Sequence, residues 1–205
     1  MDLQLKGKSA IVTGGTRGIG RAIAECFADE GANVAICARK ADQVDEAVKA
    51  LQARGVKAFG QVVDISDGPA LQGFVRAAAE ALGGLDVLVS NASALVQGNA
   101  EADWQAMFDI DMLGAVRTWE AAKPLLTVAA EKTGDAAFVI ISSVSSVNAD
   151  APSSYGAMKA ALIHFAKGVA RQNAAGKVRC NVVSPGTPSL PPPPAASPCG
   201  RSGCA

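Results

Sequence analysis

The sequence predicts an α/β protein built on a doubly wound parallel sheet, and three observations predict it. Short runs rich in β-branched residues alternate with longer stretches of helical spacing. Several of these runs are apolar throughout, as strands covered on both faces should be. A glycine-rich turn follows the first run and opens the first helical stretch. Strand-helix alternation of this kind gives parallel strands joined by right-handed crossovers.

The predicted strands are Ser9–Thr13, Asn33–Cys37, Lys57–Val63, Asp86–Ser90, Ala137–Ser142 and Val178–Val183. The predicted helices are Gly20–Glu30, Asp42–Arg54, Pro69–Leu82, Ala102–Lys132 and Ser154–Ala174. Pro69 suits a first helical turn, where its missing N–H is no loss. Gly31 and Gly55 follow last turns, where a left-handed residue is wanted. Pro124 falls inside the long fourth helix and should kink or split it. Residues 187–205 hold six of the ten prolines, including Pro191–Pro194, with no apolar periodicity. The expected organisation is one domain over residues 1–186 and a proline-rich disordered tail over 187–205.

Composition excludes several function classes. Of the 205 residues, 49% are hydrophobic and 19% charged, which suits one ordinary globular domain. Nineteen basic residues cancel nineteen acidic ones without long runs of either sign, which argues against a nucleic-acid or anionic-membrane partner. The longest apolar stretches, such as Ala136–Ile141, fall far short of the roughly 20 residues of a membrane helix, and the start lacks a secretory core. Five cysteines, odd in number and without metal-ligand spacing, read as reduced thiols of a cytoplasmic protein. No metal site is expected.

The turn Thr13-Gly14-Gly15-Thr16-Arg17-Gly18-Ile19-Gly20 stands between a strand and a helix. Glycines there admit a pyrophosphate close to the backbone, and the helix N-terminus directs N–H groups at the anion. The second strand ends at Ala38-Arg39, where an acidic residue would hold the ribose of NAD; none is present. Arg39 and Arg17 can instead pair with a 2′-phosphate, which favours NADP(H) over NAD(H). Tyr155, the only tyrosine, precedes Lys159 by four residues, so on a helix both lie on one face. A cationic neighbour favours the phenolate and brings a phenol towards acid-base work at neutral pH. Ser142-Ser143 ends the fifth strand, where an open sheet presents its ligand crevice and a hydroxyl can meet a substrate carbonyl.

Together these residues resemble the short-chain dehydrogenase/reductase family, from about Leu5 to Gly186. The matching pieces are the Thr13–Gly20 turn, Asp64 with Ile65 after the third strand, Ser90-Asn91-Ala92-Ser93, Ser143, Tyr155-x-x-x-Lys159 and Asn181-Val182-Val183-Ser184-Pro185-Gly186. The resemblance implies hydride transfer between NADP(H) and a carbonyl or secondary alcohol. It makes Tyr155 the general acid or base, Lys159 its modulator and a ribose ligand, and Ser143 the group that orients the carbonyl. It gives the cofactor Gly14, Thr16, Arg17, Gly18, Ile19, Gly20, Arg39, Asp64, Ile65, Asn91, Pro185 and Gly186, besides Tyr155 and Lys159. It also implies a homodimer or homotetramer through the fourth and fifth long helices.

Some positions depart from the family pattern. The family's fourth-strand motif is usually Asn-Asn-Ala-Gly, and Ser90 and Ser93 replace its outer residues. The family's proton-relay asparagine falls at Asp111, which enters the catalytic set as an acid able either to raise the tyrosine pKa or to pair with Lys159. Ser143 matches the strand-end pattern, whereas Ser142 better fits the usual distance to Tyr155. Family members continue past Pro-Gly with a lid, a helix and a last strand that 187–205 cannot supply, which leaves Val178–Val183 as an expected open edge. The alternative reading is therefore a non-catalytic or truncated dinucleotide-binding chain. His164 is expected on the helix face opposite Tyr155, and Asp109 and Asp111 on different faces. Trp104, Phe108 and Trp119 are expected in core or subunit contacts, and Cys37 as an inert buried thiol.

Overall fold

The computed structural model describes residues 2–96, 98–149 and 151–186. The expected tail, 187–205, lies outside the described residues. Six strands form one parallel sheet: β1 (Ser9–Thr13), β2 (Asn33–Ala38), β3 (Ala58–Val62), β4 (Val87–Ser90), β5 (Ala136–Ile141) and β6 (Val178–Val183). Their order is β3-β2-β1-β4-β5-β6, so the chain winds outward from β1, then returns to pair β4 on its other side. That reversal makes β1 and β4 the switch point, and a crevice opens beyond their carboxyl ends.

Burial follows from the apolar runs. All five residues of β1 are buried, as a central strand between helical layers requires. One layer holds α1 (Gly18–Asp29) and α2 (Ala41–Gln52), which press Ala24, Ala28, Ala47 and Leu51 onto Val12, Val34 and Ile36. The other holds α3 (Gly68–Leu82), α5 (Leu113–Thr133) and α6 (Ser154–Asn173), packed through Phe74, Trp119, Leu126 and Leu162 onto Ile11, Leu88 and Phe138. Trp119 stacks on Phe138 with ring centroids 5.4 Å apart. Each such fully buried side chain contributes on the order of 2 kcal/mol.

The long fourth helix differs from expectation. It is α4 (Glu101–Met107), a π-helical turn over Phe108–Met112, and then α5. Helix α5 runs unbroken through Pro124, so the proline does not split it. Trp119, Ala122 and Leu126 anchor both sides of Pro124 in the core, which offsets the one lost backbone bond. The irregularity sits instead at the π turn, which turns Asp111 inward while Asp109 stays outside.

At the sheet edge, Val178 and Cys180 are buried beneath α6, whereas Arg179 and Asn181 are exposed and Val183 is half-exposed. Among the described residues no strand lies outside β6. Arg179 is held to Asp135 by two hydrogen bonds of 2.7 and 2.9 Å. No helix among the described residues is long and apolar enough to cross a membrane.

Candidate active site

The glycine turn closes against β4. Thr13 Oγ1, at the end of β1, accepts hydrogen bonds from the N–H groups of Asn91 (3.0 Å) and Ala92 (3.1 Å). Asn91 Nδ2 donates to the carbonyls of Thr13 (3.0 Å) and Gly14 (3.3 Å). Asn91 therefore braces the turn with its amide, beyond the cleft-lining part the resemblance gave it. Gly14 has φ 68°, and a Cβ on it would stand 3.1 Å from Ala92 Cα. A Cβ on Gly20 would collide with Asn91 Nδ2 and the Gly14 carbonyl oxygen. The turn is thus built to a clearance that only glycine fits.

This cradle fits a dinucleotide phosphate. Arg17 occupies the N-cap of α1 and offers no side-chain cap, so the first N–H groups of the helix remain open to an anion. Gly18 and Ile19 form the first helical residues, and Thr16 is buried beneath them. Arg17 and Arg39 are exposed, and neither forms an ion pair among the described residues. Arg39 follows β2 directly. Its field reaches Asp64 after β3, whose carboxyl is held below the usual carboxylate range chiefly by hydrogen bonds from Ser66 Oγ and N. Ile65 packs on the core, and its side chain occupies the space a Cβ on Gly114 would need.

The second half of the site lies at the ends of β5 and β6. Ser142 is buried, and its hydroxyl donates to the backbone carbonyl of Lys159 at 2.9 Å. Ser143 begins a 3-10 turn over Val144–Ser146, and its Oγ accepts from Ser145 N at 3.1 Å. That leaves the Ser143 O–H available as a donor, while the hydroxyl of Ser142 is committed to α6. Val144 N donates to the Pro185 carbonyl at 3.1 Å, which brings the segment after β6, ending in Gly186, beside Ser143.

Helix α6 delivers the remaining groups. Ser153 caps it by accepting from Gly156 N at 3.1 Å. A Cβ on Gly156 would lie 2.7 Å from the Ser145 carbonyl oxygen, so this glycine lets the helix start sit hard against the serine turn. Tyr155 is half-buried there, and the Lys159 ammonium lies over its ring, 5.6 Å from the centroid. Lys159 Nζ also donates to the Ile141 carbonyl at 3.1 Å and stands 2.9 Å from Asp111 Oδ1. The side chains of this pair are 3% and 0% exposed. Asp111 Oδ2 accepts from Ala94 N at 2.9 Å.

The structure thus gathers Ser143, Tyr155, Lys159 and Asp111 at one end of the sheet, and the glycine turn, Asn91, Arg17 and Arg39 at the neighbouring ends of β1, β4 and β2. Sequence reasoning missed the Ile141 carbonyl and the Ala94 N–H, because backbone groups carry no signal in residue type. His164 is exposed, nine residues beyond Tyr155. Trp104 and Phe108 are also exposed, so of the three aromatic residues only Trp119 is core. Among the described residues, no cluster of His, Cys, Asp and Glu suits a metal ion.

Comparison with known proteins agrees with this geometry. The family profile for short chain dehydrogenase matches residues 8–189. A rabbit (Oryctolagus cuniculus) protein, dehydrogenase/reductase SDR family member 4, is 35% identical over 188 residues, covering 89% of this chain and 71% of that protein. The crystal structure of L-sorbose reductase from Gluconobacter frateurii, complexed with NADPH and L-sorbose, superposes with a TM-score of 0.84 at 31% identity. It covers 91% of this chain and 72% of the other. The NADH-dependent reductase A1-R′ complexed with NAD gives the same TM-score at 28% identity, covering 91% and 81%. Glycine cradle, sheet order and sequence likeness converge: the chain belongs to the short-chain dehydrogenase family of oxidoreductases, which work with a nicotinamide dinucleotide.

Proposed function

We propose that this chain is an NADP(H)-dependent oxidoreductase that reduces a carbonyl compound or oxidises the corresponding secondary alcohol, with Tyr155 as general acid and base. The observation that carries the reading is the placement of the Tyr155–Lys159 pair beside the Ser143 turn, with β4 alone between β5 and the strand that leads into the phosphate cradle. The dinucleotide supplies or accepts the hydride; the chain's residues govern its position and the proton. The backbone N–H groups opening α1, with Gly14, Thr16, Gly18, Ile19 and Gly20 around them, hold its pyrophosphate. Arg39 and Arg17 give the 2′-phosphate charge-assisted donors. Asp64 and Ile65 receive the adenine, Asn91 braces the turn at the cleft wall, and Pro185 and Gly186 flank the nicotinamide end.

During reduction the Ser143 hydroxyl donates to the substrate oxygen and steadies the charge that develops on it. Tyr155 then gives its phenolic proton to that oxygen, and the Lys159 cation stabilises the phenolate left behind. Oxidation reverses the proton transfer. The reading extends to a cytoplasmic homodimer or homotetramer; exposed Trp104, Phe108 and Val128 on the α4–α5 rod support an association face there.

NADPH and NADH titrations test the cofactor assignment by fluorescence. NADPH binds more tightly to the wild type, and Arg39→Asp removes that preference, a loss of roughly 10- to 100-fold for a charge-assisted contact. Tighter NADH binding by the wild type, or a preference untouched by Arg39→Asp, overturns it. Loss of NADPH absorbance over a panel of ketones tests the activity, beside Tyr155→Phe. Consumption that does not depend on Tyr155 defeats the enzyme reading and leaves a dinucleotide-binding chain.

A further inference from the structure

The Asp111–Lys159 pair bears on how the tyrosine works. Lys159 Nζ is surrounded by a small set of groups. The Tyr155 ring lies on its own helix, the Ile141 carbonyl comes from β5, and the Asp111 carboxylate comes from the π turn. Asp111 is the charged side chain paired with it among the described residues. The carboxylate is held in place by the Ala94 N–H on Oδ2, and the π turn aims it inward. Its Oδ1 stands 2.9 Å from Nζ but makes no well-angled hydrogen bond, so the contact is chiefly Coulombic. Both side chains are sealed from water, where such a field is weakly screened.

We propose that Asp111 is a positioning residue that acts on Tyr155 through Lys159: it holds the ammonium in a buried ion pair and offsets the positive charge presented to the phenol, so this site works at higher pH than one with a neutral residue at 111. The proposal rests on the reading of Tyr155 as acid and base, and it deepens that reading. The sign follows from the charges. A lone ammonium beside the phenol favours phenolate, whereas a carboxylate against that ammonium cancels part of its field. Asp111→Asn keeps an oxygen for the Ala94 N–H and leaves the Ile141 carbonyl accepting from Lys159, but the compensating anion is gone. The phenolate is then favoured at lower pH.

Tyr155 is the only tyrosine in the chain, so tyrosinate absorbance in the near ultraviolet reports on this one phenol without substrate or cofactor. We expect Asp111→Asn to reach the same tyrosinate fraction at lower pH than wild type. Asp111→Glu, which retains the charge, stays near wild type. Far-ultraviolet circular dichroism across the same pH range follows folding. In a Lys159→Met background Asp111→Asn moves the midpoint little, because the carboxylate has lost the cation through which it acts. The pH limb of alcohol oxidation, where phenolate is the base, shifts in the same direction as the titration. A midpoint that stays in place or rises in folded Asp111→Asn overturns the proposal, as does an equal fall in the Lys159→Met background. Absence of Tyr155-dependent turnover overturns the oxidoreductase reading instead; the titration is read independently of it.

Discussion

The cradle makes a quantitative prediction at Gly20. This residue sits in the first turn of α1, and a methyl group added there collides with Asn91 Nδ2 and the Gly14 carbonyl oxygen. Neither neighbour is the loose end of a flexible side chain. One is backbone, and the other is an amide tied to the Thr13 and Gly14 carbonyls at 3.0 and 3.3 Å. Overpacking of this kind costs about 1–3 kcal/mol. Weakening the two hydrogen bonds adds roughly 0.5–1.5 kcal/mol each. Alanine gains back about 1 kcal/mol over glycine inside a helix. The net for Gly20→Ala is a loss of about 1–5 kcal/mol. The control is Gly168→Ala in α6, where nothing among the described residues lies within 4 Å of the added carbon. It should stabilise the chain by up to about 1 kcal/mol. Urea unfolding followed by circular dichroism measures both, and NADPH titration should show at least a tenfold loss for Gly20→Ala alone. If Gly20→Ala matches Gly168→Ala in stability and binds cofactor as wild type does, the turn is not held to a glycine-only clearance.

Three further outcomes follow from single contacts. Ser142→Ala should lower stability by about 1 kcal/mol by removing the bond to the Lys159 carbonyl, and Ser143→Ala by a similar amount by leaving Ser145 N without its cap, but only Ser143→Ala should also reduce turnover on the order of 100-fold; initial rates separate the two. Burial pushes the Cys37 thiol up to about 12, so iodoacetamide should label exposed Cys26 in the native protein and Cys37 only after unfolding, as peptide mapping reads. The Arg179 hydrogen bonds hold the Asp135 carboxyl below its ordinary value, so their contribution is present above roughly pH 4 and fades as acid protonates the folded carboxyl. Because both side chains are more than half exposed, Asp135→Asn should cost only about 0.5 kcal/mol at neutral pH in low salt, and less in acid, by urea unfolding.

Much of the fold is legible because it depends on local pattern. The bounds of β1 and β6 agree with their β-branched runs, and Gly31 and Gly55 take the positive φ expected after α1 and α2. The π turn is not legible: one extra residue in a turn leaves the apolar spacing intact on either side, so α4 and α5 read as one helix. Tyr155 and Lys159 share a face because a spacing of four on a helix puts them there. The division of labour between Ser142 and Ser143 is different. It depends on which hydroxyl the strand pleat turns towards α6, and adjacent serines look alike in a sequence. The Asp111–Lys159 contact spans elements far apart in the chain, beyond any local periodicity, and only the family pattern singled out position 111.

Transfer of the hydride itself is the most direct measurement. NADPH carrying deuterium at its transferable position is incubated with the chain and a reducible ketone, and the product is weighed by mass spectrometry. Hydride transfer governed by Tyr155 places one deuterium on the carbinol carbon with wild type and none above background with Tyr155→Phe. A wild-type product without deuterium, or labelling that persists undiminished in Tyr155→Phe, contradicts it.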